Sequence, residues 1–168
     1  MDHKLPLTGR DPVPQPRREA PVYTPPGGPP QNTSVSREIF GLMGEDNIRA
    51  MIASFYDRLA ASEIAELFPK GDKNIQRAAE KSADFFVFLL GGPPLYQQRH
   101  GPPMMRARHM PFEIDDNARL VWLRCFKEAI ADAVEKHGFP AQHRDGFEDF
   151  LDKFSTWMVN VGPSPQAP

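Results

Sequence analysis

Apolar residues recur at intervals of three or four in four separate stretches of this chain, and this spacing limits its fold more than any other feature. Side chains three or four positions apart share one face of an α-helix, so each stretch predicts an amphipathic helix. No stretch alternates polar and apolar residues as a half-buried strand would, and no hairpin dipeptide separates two β-branched runs. The sequence therefore predicts an all-α domain.

Glycine and proline mark where three of these helices end. Stop signals follow the second, third and fourth stripes at residues 91–94, 138–140 and 162–163, and Asp115 or Asp116 is a suitable N-cap for the third. The four stripes are Ile48, Met51, Ile52, Phe55 and Leu59; Ile75, Ala78, Ala79, Ser82, Phe85, Phe86 and Leu89; Trp122, Cys125, Phe126, Ala129, Ala133 and Val134; and Phe147, Phe150, Leu151, Phe154, Trp157, Met158 and Val161.

The 19 prolines of the 168-residue chain are concentrated at its start. Proline removes amide donors and favours extended backbone, and little apolar material accompanies it there. We therefore predict a disordered Pro-rich extension over residues 1–34, one folded domain over residues 35–162 and a short flexible tail over residues 163–168. The extension is interpreted as a solvated spacer that the domain does not need for folding, or as a segment that docks in an aromatic groove of a partner.

Charge and cysteine content exclude several classes of protein. Lysine and arginine total 20 against 22 acidic residues, and a net charge of −2 argues against nucleic-acid binding. The single cysteine, Cys125, excludes an intramolecular disulfide and any multi-cysteine zinc site. No apolar run reaches the roughly 18 residues of a membrane span, and no signal-peptide core is present. We expect a cytoplasmic protein without membrane or nucleic-acid partners.

The segment over residues 91–114 is where we look for chemistry. It contains five prolines and three glycines between predicted helices, and a structureless connection of that length is usually functional. His100 and His109 lie in it, and His109 is flanked by methionine and a Pro-Phe step. One neutral imidazole is sufficient as the axial protein ligand of a haem, although a single histidine is more often a surface or satisfied side chain. The histidines assigned to the tail or the surface are His3, His137 and His143.

Aromatic residues are the second indication. Most of them are interpreted as core, but Tyr56 and Trp122 each carry a donor that needs a partner when buried. Both lie on predicted inner helical faces. A pocket with one imidazole and two such donors suits a polar diatomic ligand on a metal.

Five segments in order carry a family resemblance. They are FYDRLA at 55–60, LFP at 67–69, GGPPLY at 91–96, MRARHMPF at 105–112 and WLRC at 122–125. This series resembles the truncated haemoglobins, specifically their group II, over residues 37–162. The resemblance implies a two-over-two helical sandwich around haem b. The Pro-rich extension is not a feature of that family.

The resemblance also implies roles for individual residues. His109 matches the proximal iron ligand, and Tyr56 and Trp122 match the distal residues that would act on a bound gas. Ser82 stands where the family often has a bulky apolar residue, so its hydroxyl either joins the distal donors or returns to the carbonyl of Ala78. Lys81 and Arg108 are candidates for the haem propionates or are solvated cations. The residues predicted to contact haem are Phe68, Ala78, Lys81, Ser82, Phe85, Tyr96, Arg108, His109 and Phe112.

The implied function is binding of O2, NO and CO at a His-ligated haem iron. Donors that hold a bound gas slow its release, which favours oxygen binding or redox detoxification, as an NO dioxygenase or a peroxidase-like enzyme supplied by an unknown reductase. The protein would be a monomer or a homodimer. Two other readings are a haem-based gas sensor or delivery module acting through a partner on the Pro-rich tail, and a metal-free helical interaction domain.

Overall fold

The computed structural model describes residues 18–163, and this part of the chain is helical without any strand. The all-α prediction is confirmed. The seven α-helices are α1 Ile39–Met43, α2 Glu45–Ala60, α3 Asp72–Leu89, α4 Leu95–His100, α5 Met105–His109, α6 Asp116–Lys136 and α7 Arg144–Met158. Short 3-10 turns lie at Ala65–Leu67 and Ala141–His143. Within the described residues no helix is long and apolar enough to cross a membrane.

The core forms where two pairs of long helices meet. Helix α2 packs on α3, α6 packs on α7, and α2 contacts α6 between the pairs. Phe55, Phe126 and Phe147 are at most 1% exposed at this junction. Burial of such a side chain contributes about 1.5–3 kcal/mol, so the aromatic stripes hold the sandwich together. All four predicted stripes supply core residues.

Helix ends follow the predicted signals at α3 and α6. The Asp115 carboxylate accepts a hydrogen bond from the Ala118 amide at 2.8 Å, which makes it the N-cap of α6. Gly91, just beyond the end of α3, has a φ of +113°, and a Cβ there would overlap the Arg37 carbonyl. Only glycine fits both constraints.

Two predicted boundaries differ from the structure. The 91–114 connection is not structureless, because the short helices α4 and α5 form within it. The fourth stripe extends beyond its helix, since α7 ends at Met158. The amides of Asn160 and Val161 instead donate to the Ile114 carbonyl at 2.9 and 3.0 Å, which keeps this segment extended.

The Pro-rich extension lies partly outside the described residues, as does most of the predicted C-terminal tail. Residues 1–17 and 164–168 are in that category. Residues 18–34 differ from the predicted disorder because they contact the domain. Pro25 is buried, and the Tyr23 amide donates to the Asn160 carbonyl at 2.9 Å.

Candidate functional site

A cavity of about 360 Å³ lies inside the helical sandwich. Its walls are mainly apolar, and α2, α3, α4, α5, α6 and α7 all contribute side chains to it. All eleven residues singled out from the sequence lie on these walls, although their individual roles stay predictions. They are Tyr56, Phe68, Ala78, Lys81, Ser82, Phe85, Tyr96, Arg108, His109, Phe112 and Trp122.

His109, the last residue of α5, presents a neutral imidazole to the cavity. Its Nδ1 donates to the Met105 carbonyl at 2.6 Å, one helical turn back. The other ring nitrogen, Nε2, then carries the lone pair that a metal requires. Burial lowers the pKa of His109 below its ordinary value of 6.5, opposed by the Met105 bond. The imidazole is therefore held in the form and tautomer of a ligand.

His100, the other histidine of the same segment, has a different partner. Its Nε2 lies 3.0 Å from Oδ2 of Asp84, and its side chain is not part of the cavity wall. Arg49 and Arg99 donate to the same carboxylate at 2.6 and 2.8 Å. Burial raises the pKa of Asp84, but hydrogen bonds from Arg49 and His100 outweigh it and leave the pKa lowered. His100 therefore belongs to an ionic cluster that joins α2, α3 and α4.

Tyr56 and Trp122 bring polar hydrogens to an aromatic part of the wall. The Tyr56 ring meets Phe55 edge-on at 5.5 Å and Phe68 at 5.9 Å, and Trp122 meets Phe55 at 5.4 Å. Burial raises the pKa of Tyr56, and a hydrogen bond from Ser82 partly offsets that rise. The Tyr56 hydroxyl therefore stays protonated and remains a donor at neutral pH.

The comparisons with known proteins agree with this geometry. A family model described as "Bacterial-like globin" matches residues 38–160. The chain belongs to the bacterial-like globins, in group II of the truncated haemoglobins.

Three relatives illustrate the match. A group 2 truncated haemoglobin of Bacillus subtilis is 34% identical over 119 residues, which cover 70% of this chain and 85% of the relative. The crystal structure of phosphate-bound Hell's gate globin IV is 33% identical, with a TM-score of 0.74, and covers 80% of this chain and 82% of that one. The truncated oxygen-avid haemoglobin from Bacillus subtilis is 33% identical, with a TM-score of 0.64, and the match covers 72% of this chain and 98% of that one. The predicted family and two-over-two fold are confirmed.

Membership of this globin family implies a haem iron cofactor, and the residues present fit it. The cavity contains a buried imidazole with one unprotonated nitrogen. Its walls consist largely of aromatic rings. A flat apolar macrocycle with one axial protein ligand needs these two features. Among the described residues no three His, Cys, Asp or Glu side chains form a metal cluster.

Lys81 and Arg108, predicted either as propionate partners or as solvated cations, both line the cavity of this globin. Arg108 lies over the Tyr96 ring at 5.2 Å and donates to the His100 and Pro102 carbonyls at 2.8 and 2.9 Å. Its guanidinium is thus fixed at the cavity wall by its own loop, with Lys81 on α3 lining the same cavity. Burial raises the pKa of Tyr96, opposed by the Arg108 charge.

The sequence analysis missed some polar residues of the cavity wall. Arg119 lies three residues before Trp122 on α6, so helical spacing could have placed it on the same face. Its guanidinium donates to Asp152 at 2.5 Å and to Thr156 at 3.0 Å. The Ser155 hydroxyl donates to the Asp152 carbonyl at 3.0 Å. The polar groups of Arg119 and Ser155 are therefore both satisfied by partners on α7.

Proposed function

We propose that this globin binds O2, and also NO and CO, at haem b held by His109, for oxygen binding or for redox detoxification of NO or peroxide. The observation that carries the proposal is the composition of one cavity. It joins the anchored imidazole of His109 to the polar hydrogens of Tyr56, Ser82 and Trp122. Haem b, when bound, would supply the iron on which a diatomic gas binds.

His109 holds the cofactor and keeps its ligating nitrogen deprotonated. The Met105 carbonyl accepts the Nδ1 proton at 2.6 Å, which orients the ring and increases the basicity of Nε2. Because burial lowers the pKa of the imidazole, protons compete poorly for Nε2 at neutral pH. The protein environment therefore favours a neutral His109 imidazole, which is the form that binds a metal.

The donors of Tyr56, Ser82 and Trp122 in the same cavity would act on a ligand that gains negative charge. Tyr56 and Ser82 line the same cavity, and interaction with Ser82 lowers the pKa of the buried phenol. A hydrogen bond to a charged group is worth about 1.5–3 kcal/mol, and about 1.4 kcal/mol is a factor of ten in an equilibrium constant. Two such donors slow the release of O2 by one to a few orders of magnitude. The oxygen avidity stated for the Bacillus subtilis relative agrees with this expectation.

Absorption spectra of the purified, haem-supplemented chain test the proposal. We expect a Soret band in the ferric and ferrous states and a shifted band with CO. His109→Ala should abolish the His-ligated ferrous–CO spectrum. His100→Ala is the matched control, because its imidazole bonds Asp84 outside the cavity, and it should leave the spectrum unchanged. Absence of haem uptake by the unmodified chain would refute the function, and an unaltered His109→Ala spectrum would refute the ligand.

A further inference from the structure

Asn160, a residue outside the cavity wall, is fully buried directly behind His109. Its amide nitrogen donates to the His109 carbonyl at 3.2 Å and to the Phe112 carbonyl at 2.9 Å. Its side-chain oxygen accepts from the Ile114 amide at 3.0 Å. One side chain therefore holds three points of the turn that follows α5.

The same asparagine is the attachment point of residues 18–23, which we call the proximal strap. Arg18 donates to the Asn160 side-chain oxygen at 2.9 Å and also to its main-chain carbonyl. It reaches the Met110 carbonyl at 3.2 Å. The Tyr23 amide donates to the Asn160 carbonyl at 2.9 Å. The strap is thus bonded both to Asn160 and to the residue after His109.

Arg106 and Glu113 provide a second set of attachments, one on each side of His109. Arg106, on α5, donates to the Tyr23 carbonyl at 2.7 Å and to the Val159 carbonyl at 2.9 Å. Beyond the turn, the Glu113 carboxylate accepts from the strap amides of Glu19 and Ala20 at 3.0 and 2.7 Å. Strap contacts therefore flank the imidazole along the chain.

Helix α5 needs such support because it cannot be stable alone. It has only five residues, and the rest of the chain covers none of them completely, because His109 faces the cavity. An isolated helix of this length does not persist in water, and no apolar face of its own fixes it to the domain. The position of α5, and with it the direction of the His109 ring, therefore depends on contacts made outside the helix: the Arg106 guanidinium over the Trp157 ring at 4.5 Å, and the hydrogen bonds of Arg106 and Asn160.

We propose that the proximal strap, acting through Arg18 and Asn160, positions the turn that carries His109. Arg18 and Asn160 are positioning residues, since neither lines the cavity. Removal of the strap then loosens the imidazole as well as the N-terminus. The sequence analysis predicted instead that the domain does not need this extension. The effect on the iron bond rests on the proposed ligation by His109, whereas the effect on the turn does not.

Three full-length variants separate positioning from general stability. Arg18→Ala removes the strap attachment. Asn160→Asp keeps the oxygen that faces Arg18 and Ile114 but places a second oxygen against the His109 and Phe112 carbonyls. Arg37→Ala is the matched control, because Arg37 also donates to a distant carbonyl, that of Phe88 at 3.1 Å, at the far end of α3.

Hydrogen exchange and resonance Raman spectra of the haem-loaded proteins provide the test. Because each lost bond involves a charged donor or a buried amide, we expect about tenfold faster exchange at the amides of residues 109–114, apart from Pro111, in Arg18→Ala and Asn160→Asp. The ferrous iron–histidine stretching band should shift or broaden in both, and Arg18→Lys should restore part of each effect. Arg37→Ala should change neither.

Two results would overturn the proposal, and both are distinct from failure of the proposed function. Exchange at residues 109–114 that stays unchanged in Arg18→Ala would show that the strap does not hold the turn. An iron–histidine band that responds equally to Arg37→Ala would show a general stability effect. If the unmodified chain takes up no haem, the function fails, and hydrogen exchange of the haem-free variants then decides whether the strap holds the turn.

Discussion

The two sides of the cavity are built by different kinds of interaction. On the side of Tyr56 and Trp122, aromatic rings pack on one another, with Phe55 and Phe126 at 4.2 Å and Trp122 and Phe126 at 5.3 Å. On the side of His109, a five-residue helix is held by hydrogen bonds to and from groups elsewhere in the chain.

Because of this difference, the aromatic wall is expected to be rigid, whereas the turn that carries His109 is expected to open more easily. Apolar packing is shared among many contacts, so the aromatic wall can be lost only with the domain itself. The proximal turn depends on a few directional bonds, and such a segment can open locally at a lower free energy than global unfolding. We therefore expect changes on the aromatic side to alter stability or ligand release, and changes on the proximal side to alter imidazole placement.

The largest effect is expected from the aromatic core. Phe126→Ala removes a fully buried ring that contacts Phe55, Trp122 and Phe147. It should lower the free energy of unfolding by about 3–5 kcal/mol, measured by urea titration. Leu120→Ala on the same helix is the control, since this side chain is 58% exposed and should cost little. Equal losses in both variants would contradict the rigid-wall interpretation.

The donors of the same wall should act on ligand release with less effect on folding. Tyr56→Phe and Trp122→Phe should each speed O2 dissociation by roughly tenfold, measured by stopped flow. CO carries less charge, so its dissociation should change less. The double variant should fall short of the product of the single effects, because both donors serve one acceptor. Rates indifferent to both changes would rule out a polar distal site.

Ser82→Ala should have a smaller effect that acts through Tyr56. A neutral hydrogen bond contributes about 0.5–1.5 kcal/mol, so we expect O2 dissociation to rise by about tenfold at most. The hydrogen bond from Ser82 lowers the pKa of Tyr56, and its loss should raise that pKa further. Ultraviolet titration of the phenol measures this direction, with Tyr56→Phe as the control that assigns the signal. A Tyr56 pKa that falls in Ser82→Ala would contradict the contact.

The smallest effect concerns pH and the proximal strap. Hydrogen bonds from the Ala20 and Glu19 amides lower the pKa of Glu113 below its ordinary value of 4.5. A depressed carboxyl pKa stabilises the folded form above pH 4.5, and this contribution is lost as the pH falls through the lower folded value. Amide shifts of Glu19 and Ala20 in NMR spectra should therefore titrate below pH 4.5. Glu113→Gln should abolish that titration, and its persistence would assign it to another group.

The sequence by itself determined the long helices and most of the aromatic residues of the cavity wall. Apolar spacing of three and four predicted that Phe55 and Phe126 lie in the core, because residues at this spacing share one face of a helix and that face is buried. Asp115 was predictable as an N-cap because its carboxylate and the amide it accepts from lie three residues apart. The resemblance carried by residues 105–112 singled out His109, which lines the cavity.

The tertiary structure alone decided how His109 is held. Arg18 meets Asn160 across 142 positions of sequence and Met110 across 92, and no local pattern specifies such pairs. A Pro-rich stretch was predicted to be disordered because it has few apolar residues, yet residues 18–23 are fixed by hydrogen bonds to Met110 of the turn, to Arg106 of α5 and to Asn160 beyond α7. Apolar periodicity can be seen along a single segment, whereas a directional bond requires a donor and an acceptor that only the folded chain brings together.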